Sequence, residues 1–200
     1  MYVKYLSALN ELNNVVIKLN GSDEIGKFSL SDERWAKDKF ISRINTKFAK
    51  GEIYQFDFGK NFPPEMSYEH RGLIIGVNKK LLYVLPIFSY NANDPSHKNA
   101  YHPLDNPDEK QDYYLMKSSE FNFIKHDSVL KLNDMRTISV NRKIYQHTGR
   151  LNINDNTYKK IEDLVIQKYF NQFHYEFTNL KKENANLKAE LEALKASLKR

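Results

Sequence analysis

The chain has 200 residues, 40% of them hydrophobic and 13% aromatic, which suffices for one core of ordinary domain size with room for an appendage. It has no cysteine, which excludes a disulfide scaffold, a thiolate zinc site and a cysteine nucleophile. A net charge of +6 favours a polyanionic partner such as RNA, or an acidic protein, and no apolar run approaches the ~20 residues of a membrane span.

The opening stretch MYVKYLSALNEL lacks the apolar core of a secretory leader, so the expected location is the cytoplasm. Residues 1–49 read as a helical extension. Tyr2, Leu6, Leu9, Leu12, Val16 and Leu19 recur at three- and four-residue steps, one apolar helix face, and Asn20-Gly21-Ser22 stops the run. Ser31 followed by Asp32-Glu33 has the form of an N-cap with acidic residues in the first turn. Trp35, Phe40, Ile41, Ile44 and Phe48 would then be the buried face of a second helix, packed on the following domain or on a second copy.

From residue 51 the period changes to two. Ile53–Phe58 alternates apolar residues with Tyr54, Gln55 and Asp57, while Gly72–Val77 and Leu81–Ile87 are almost continuously apolar, so three strands are expected. Asn78-Lys79-Lys80 turns between the last two. The loop Gly59–Arg71 carries Lys60, Pro63-Pro64, Glu65, Glu69, His70 and Arg71. Polar residues on a loop held by rigid strands are where binding and catalysis concentrate.

Tyr90–Asp112 is long and rich in Asn, Asp, Pro and His, the composition of a solvated loop closing over a partner or substrate. Its His97, His102, Asp105 and Asp108 match no zinc spacing. Tyr113–Met116, Phe121–Ile124, Asp127–Leu132, Met135–Val140 and Lys143–Tyr145 extend the β pattern, with turn residues every 8–12 positions, as in a small barrel or sandwich.

From Asn156 the pattern is helical to the end. Ile161, Leu164, Val165 and Tyr169 form a packing stripe, and then a heptad takes over. With a at Phe170, Phe177, Asn184, Leu191 and Leu198, and d at Phe173, Leu180, Leu187 and Leu194, the one polar seam residue is Asn184. A lone a-position Asn specifies two parallel strands in register. Glu176, Glu183 and Glu190 at g would face Lys181, Lys188 and Lys195 at e of the next heptad on the mate, so every flanking pair attracts. The same seam would alternatively dock a partner's helix.

Three segments carry a resemblance. FGKNFPPEMSYEHRGLII resembles the first loop and second strand of the MazF/PemK (CcdB-like) toxins, a Gly-x-Asn-x-x-x-Glu followed by Arg at the strand entrance. VLPIFS is similar to their Pro-Ile-Thr-Ser strand end, and DSVLKLNDMRTISVNRKIYQHTGRLN to their closing Asp-Ser-Val…Arg-Thr-Ile…Arg segment. The resemblance, which covers roughly residues 50–168, implies a small SH3-like β-barrel; with the helical patterns on either side the expected fold is α+β, that barrel with N-terminal helices and a long C-terminal coiled-coil helix. It divides the chain into the extension (1–49), a barrel with its closing helix (50–168) and a coiled-coil tail (169–200).

It also implies metal-independent, cofactor-free cleavage of single-stranded RNA (mRNA) to 2′,3′-cyclic phosphate and 5′-OH ends, under control of a cognate antitoxin, by a homodimer formed through the barrel, the 170–198 coiled coil or both. Arg71 takes the place of the family's catalytic arginine, with an ion pair to Glu65 or Glu69 as its structural alternative. Phe88 stands where the family has Thr or Ser, so either Ser89 supplies the hydroxyl or Phe88 stacks an unpaired base. Gly72 stands where Pro follows the arginine. Glu65, Glu69, His70 and His126 are candidate general bases, Glu69 and His70 foremost, and a His near its ordinary pKa suits that task. Arg136 is assigned to phosphate contact or bracing, Lys60 and Glu65 to RNA binding, and Arg142 to structure. The competing reading is a non-catalytic SH3-like adaptor or RNA-binding module that recruits a protein through its coiled coil.

Overall fold

The computed structural model describes residues 2–19, 21–41 and 46–198. The chain is α+β and separates into two compact units, Met1–Ile87 with Arg136–Gly149, and Phe88–Met135 with Arg150–Arg200.

In the first unit, helix α1 (Tyr2–Lys18) buries none of its residues, so its apolar stripe lies uncovered in the chain alone. Helix α2 runs Ser22–Asp38. Ser31 is therefore inside a helix and not its cap. Asp23 and Glu24 occupy the true first turn, nine residues before the expected one. The face that α2 buries is Phe28 and Ser31. Trp35 is 61% exposed and Phe40 more so, and Phe48 lies beyond the helix, so the expected stripe is not a packing face; Ile44 lies outside the described residues.

Strands β1 (Glu52–Asp57), β2 (Glu69–Asn78) and β3 (Leu81–Ser89) follow, close to the three expected. The correction is at the front of β2. Glu69, His70 and Arg71 are strand residues paired with Asp57, Phe56 and Gln55, and not loop residues. Their polar side chains hide a backbone that completes the ladder. Arg71 also faces Ile87, and a register shift between Ile74 and Gly76 bends β2.

Of the later strands, β4 (Tyr113–Met116) and β5 (Ser128–Lys131) belong to the second unit, while β6 (Arg136–Ser139) and β7 (Lys143–Arg150), joined by the 3-10 turn Val140–Arg142, return to the first. Within the first unit β6 pairs with β3 and β7 lies beside β1, so the path runs β6-β3-β2-β1-β7. This path has two ends, and the sheet is antiparallel and open where a closed barrel was expected. Ile53, Phe56, Leu73, Ile74, Leu82 and Leu85 form its core, all essentially inaccessible. Phe48, Tyr54, Phe56 and Phe58 make a ladder with centroid spacings of 5.1, 5.8 and 6.2 Å, tilted or edge-on as aromatic quadrupoles prefer.

In the second unit β4 and β5 pair antiparallel, Tyr114 opposite Leu130. Residues 121–124, expected as strand, form no strand, with a turn at 122–123. The stretch from Tyr90 to Asp112 is not a solvated loop at its histidines. It holds helix α3 (Pro95–Lys98), capped by Asp94 accepting from Ser96 N, and both His97 and His102 are buried. His102, 1% exposed, lies 3.0 Å from Asp105 through Nδ1 and 3.0 Å from Glu120 through Nε2, a fully partnered core histidine. Helix α4 (Asn156–Tyr169) buries Tyr158, Ile161, Leu164 and Val165. The helical run then breaks at Phe170 (φ −135°, ψ 50°), and α5 (Asn171–Leu198) continues with no buried residue. Phe170 thus falls outside the heptad helix, and the seam begins at Phe173. No described helix is long and apolar enough to cross a membrane.

Candidate nucleic-acid site

The loop between β1 and β2 is closed by its own polar groups. Asn61 Nδ2 donates to Phe58 O (2.9 Å) and Met66 O (2.6 Å), and Ser67 Oγ accepts from Asn61 N (3.1 Å). Gly59 sits at φ +83°, and a Cβ there would stand 2.7 Å from Arg142 Nη1. The motif's Gly and Asn are thus explained by backbone geometry. Arg142 in turn donates through Nη1 to Asp57 O (3.0 Å), the structural role expected of it.

The other residues of the motif have partners within the first unit. Glu69 accepts from Arg34 Nη2 of α2. Glu65 pairs with Arg136 of β6 at 2.9 Å. Lys60 reaches Asp32 at 2.5 Å, its ammonium 4.0 Å from the Phe28 ring centroid. The two carboxylates offered as ion-pair partners for Arg71 are therefore held by other arginines. Phe88 and Ser89 end β3 and belong to the second unit. There Phe88 is half-buried, edge-on to His97 and Tyr113 at 6.2 and 6.4 Å, while Ser89 is exposed. His126 is exposed in the turn before β5.

Arg71 is half-buried, and that burial pulls its pKa down while the neighbouring Tyr145 acts the other way. His70 is held below the ordinary imidazole value by burial first and then by Lys27 and Arg71, with Glu69 opposing. His147 of β7 is lowered by burial and then by Arg71. One guanidinium thus acts on two imidazoles and a phenol, all in the first unit. Gly149 N donates to His147 Nδ1 (3.3 Å), which leaves Nε2 to carry the proton of the neutral ring. Sequence reasoning overlooked His147 and Tyr145. The signal was their i, i+2 spacing, which puts both on one face of a strand, but the pairing of β7 beside β1 is not local.

Beside α2 the first unit also holds a cavity of about 630 Å³, lined by α2 residues between Ser31 and Asp38, by Lys39 just after them, by Asp57, Gly59 and Lys60, and by residues between Ser139 and Ile144. Among the described residues no three His, Asp or Glu side chains cluster as metal ligands would.

No family model and no curated protein matches this chain. Among solved structures it is similar to an endoribonuclease in complex with its cognate antitoxin from mycobacterial species, at 11% identity, over 61% of this chain and 94% of that one, with a TM-score of 0.39. A likeness of that degree carries no argument about chemistry.

Proposed function

We propose that this chain is a toxin-type endoribonuclease that cleaves single-stranded RNA at Arg71. The observation that carries the reading is the half-buried guanidinium at the start of β2, with His70 and His147 under its charge. The ordered motifs and the +6 charge support it.

In this reaction the 2′-OH attacks the adjacent phosphorus, the bond to the 5′ oxygen breaks, and a 2′,3′-cyclic phosphate and a 5′-OH result. The planar donors of Arg71 match two phosphoryl oxygens and meet the charge that builds there. Its lowered pKa also makes it a better proton donor to the leaving 5′ oxygen. His70, kept neutral at physiological pH, is the proposed acceptor of the 2′-OH proton. Glu69 is the second candidate base, though it is already bonded to Arg34. Neutral His147 offers Nε2–H to a phosphoryl oxygen. Arg136 and Lys60 are proposed to steer the RNA backbone. The hydroxyl assigned to Ser89 by resemblance is tested separately with Ser89→Ala. Control by an antitoxin and a cytoplasmic location complete the proposal.

The test is incubation of the purified chain with single-stranded RNA in EDTA, with product ends read by mass spectrometry. Cyclic phosphate and 5′-OH ends are expected, with Arg71→Ala slower by about 10²-fold or more. Absent cleavage, or equal cleavage by the variant, overturns the proposal. The adaptor reading is favoured by one observation, that Lys60, Glu65 and Glu69 are all ion-paired within the chain. It predicts intact RNA and a stable protein complex in pull-down.

A further inference from the structure

The cavity beside α2 is built around a buried carboxylate. Asp57 is 5% exposed. Its Oδ1 accepts from Ser31 Oγ (2.9 Å) and Gly59 N (2.8 Å), whereas Oδ2 has no hydrogen-bond partner among the described residues. Arg34 Nη1 stands 3.7 Å from Oδ2, too far for a hydrogen bond. Oδ2 is itself buried, and Asp57 lines a cavity within the ~300–1,000 Å³ of small-molecule sites, so a ligand N–H that reached it would supply the hydrogen bond this acceptor lacks.

The rest of the lining narrows the class. Lys and Arg side chains outnumber carboxylates on the cavity wall, which disfavours an ammonium or polyamine and favours a ligand with an anionic end. Trp35 supplies an exposed aromatic face, with Lys39 Nζ 5.2 Å from its ring centroid. A carboxylate acceptor at the floor, an aromatic face at the wall and cations around them fit a nucleotide, which brings N–H donors, a flat ring and a phosphate.

We propose that this cavity seats one unpaired nucleotide, base inward against Asp57 and phosphate toward the lysines, with guanine preferred. Guanine's N1–H and N2–H₂ are adjacent donors with no acceptor between them. The one donor of uracil is flanked by two carbonyl oxygens that would face the carboxylate. The proposal rests on the ribonuclease reading for its biological sense and names a base that the RNA would present.

Trp35 is the one tryptophan of the chain, so its fluorescence reports on the cavity. The full chain is titrated with guanosine and uridine 5′-monophosphates, and with a 2′-O-methyl oligonucleotide carrying a single guanine. The guanine nucleotide is expected to quench with a Kd about tenfold below that of the uridine nucleotide. Asp57→Asn, its fold checked by circular dichroism, should abolish the difference, because the amide presents a donor to guanine's donors. Lys143→Ala should weaken both nucleotides alike and keep their ratio, which holds the test open should Asp57→Asn not fold. Tighter binding of the oligonucleotide than of the monophosphate identifies an RNA strand as the ligand, and equal binding a free nucleotide. No quenching at millimolar concentration, or equal affinity for the two bases, overturns the proposal. None of the probes has an attackable phosphodiester: binding without RNA cleavage removes only the ribonuclease reading, and cleavage without binding removes only this one.

Discussion

A Cβ placed on residue 72 would stand 2.3 Å from Val84 Cγ1 and 3.0 Å from Phe56 Cδ2. That accounts for a glycine at this position: the side chains of both neighbouring strands already fill the space. Gly72→Ala is expected to lower stability by about 1–3 kcal/mol through overpacking, measured by urea denaturation. Unchanged stability would mean that Val84 and Phe56 shift freely. The two imidazoles beside Arg71 make a second prediction at this scale. Both His70 and His147 titrate below 6.5 in the fold, chiefly through burial. On acidification the unfolded chain takes up these protons first, so their contribution is retained above about pH 6.5 and lost as the pH falls below it. The melting temperature should fall between about pH 7 and about pH 5, and the double variant His70→Gln/His147→Gln should flatten that slope. A slope equal to that of the parent assigns it to other groups.

At the scale of elements, α2 teaches why helix boundaries are hard to read locally. Ser31-Asp32-Glu33 has the form of a cap, yet the helix starts at Ser22, after Gly21 and without a side-chain capping bond, and its acidic first turn is Asp23-Glu24. What distinguishes them is distant in sequence. Ser31 Oγ is committed to Asp57, 26 residues on, and Arg34 to Glu69, 35 residues on. Ser31→Ala is expected to cost about 1 kcal/mol, read by thermal melting, since it removes one donor from a buried carboxylate. A neutral result would release α2 from that anchor. By contrast β1, β2 and β3 are legible in the sequence, because apolar alternation and apolar runs record burial directly. The front of β2 is not legible, because a strand whose first three side chains are Glu, His and Arg leaves no apolar signature, and only its pairing with Asp57, Phe56 and Gln55 defines it.

At the scale of the whole molecule, the chain leaves two apolar helical faces uncovered, on α1 and α5. The helix that carries the heptad on α5 is legible in the sequence because a 3.5-residue repeat needs no tertiary context. Its starting point is not, because the break at Phe170 lies in backbone angles. Leu187 is 57% exposed in the single chain, and Leu180, Leu191 and Leu194 are exposed with it. A second copy is the occupant we propose, since in parallel register Glu176, Glu183 and Glu190 would meet Lys181, Lys188 and Lys195. Light scattering of the full chain should therefore report a dimer at least. Leu187→Ala/Leu194→Ala should lower that mass, each truncation removing about 2–4 kcal/mol of seam packing. Asn184→Leu should keep the association but loosen its two-stranded preference, seen as heavier species in the same measurement. A mass unaffected by both changes would place the dimer contact elsewhere in the chain and leave the seam to a partner's helix.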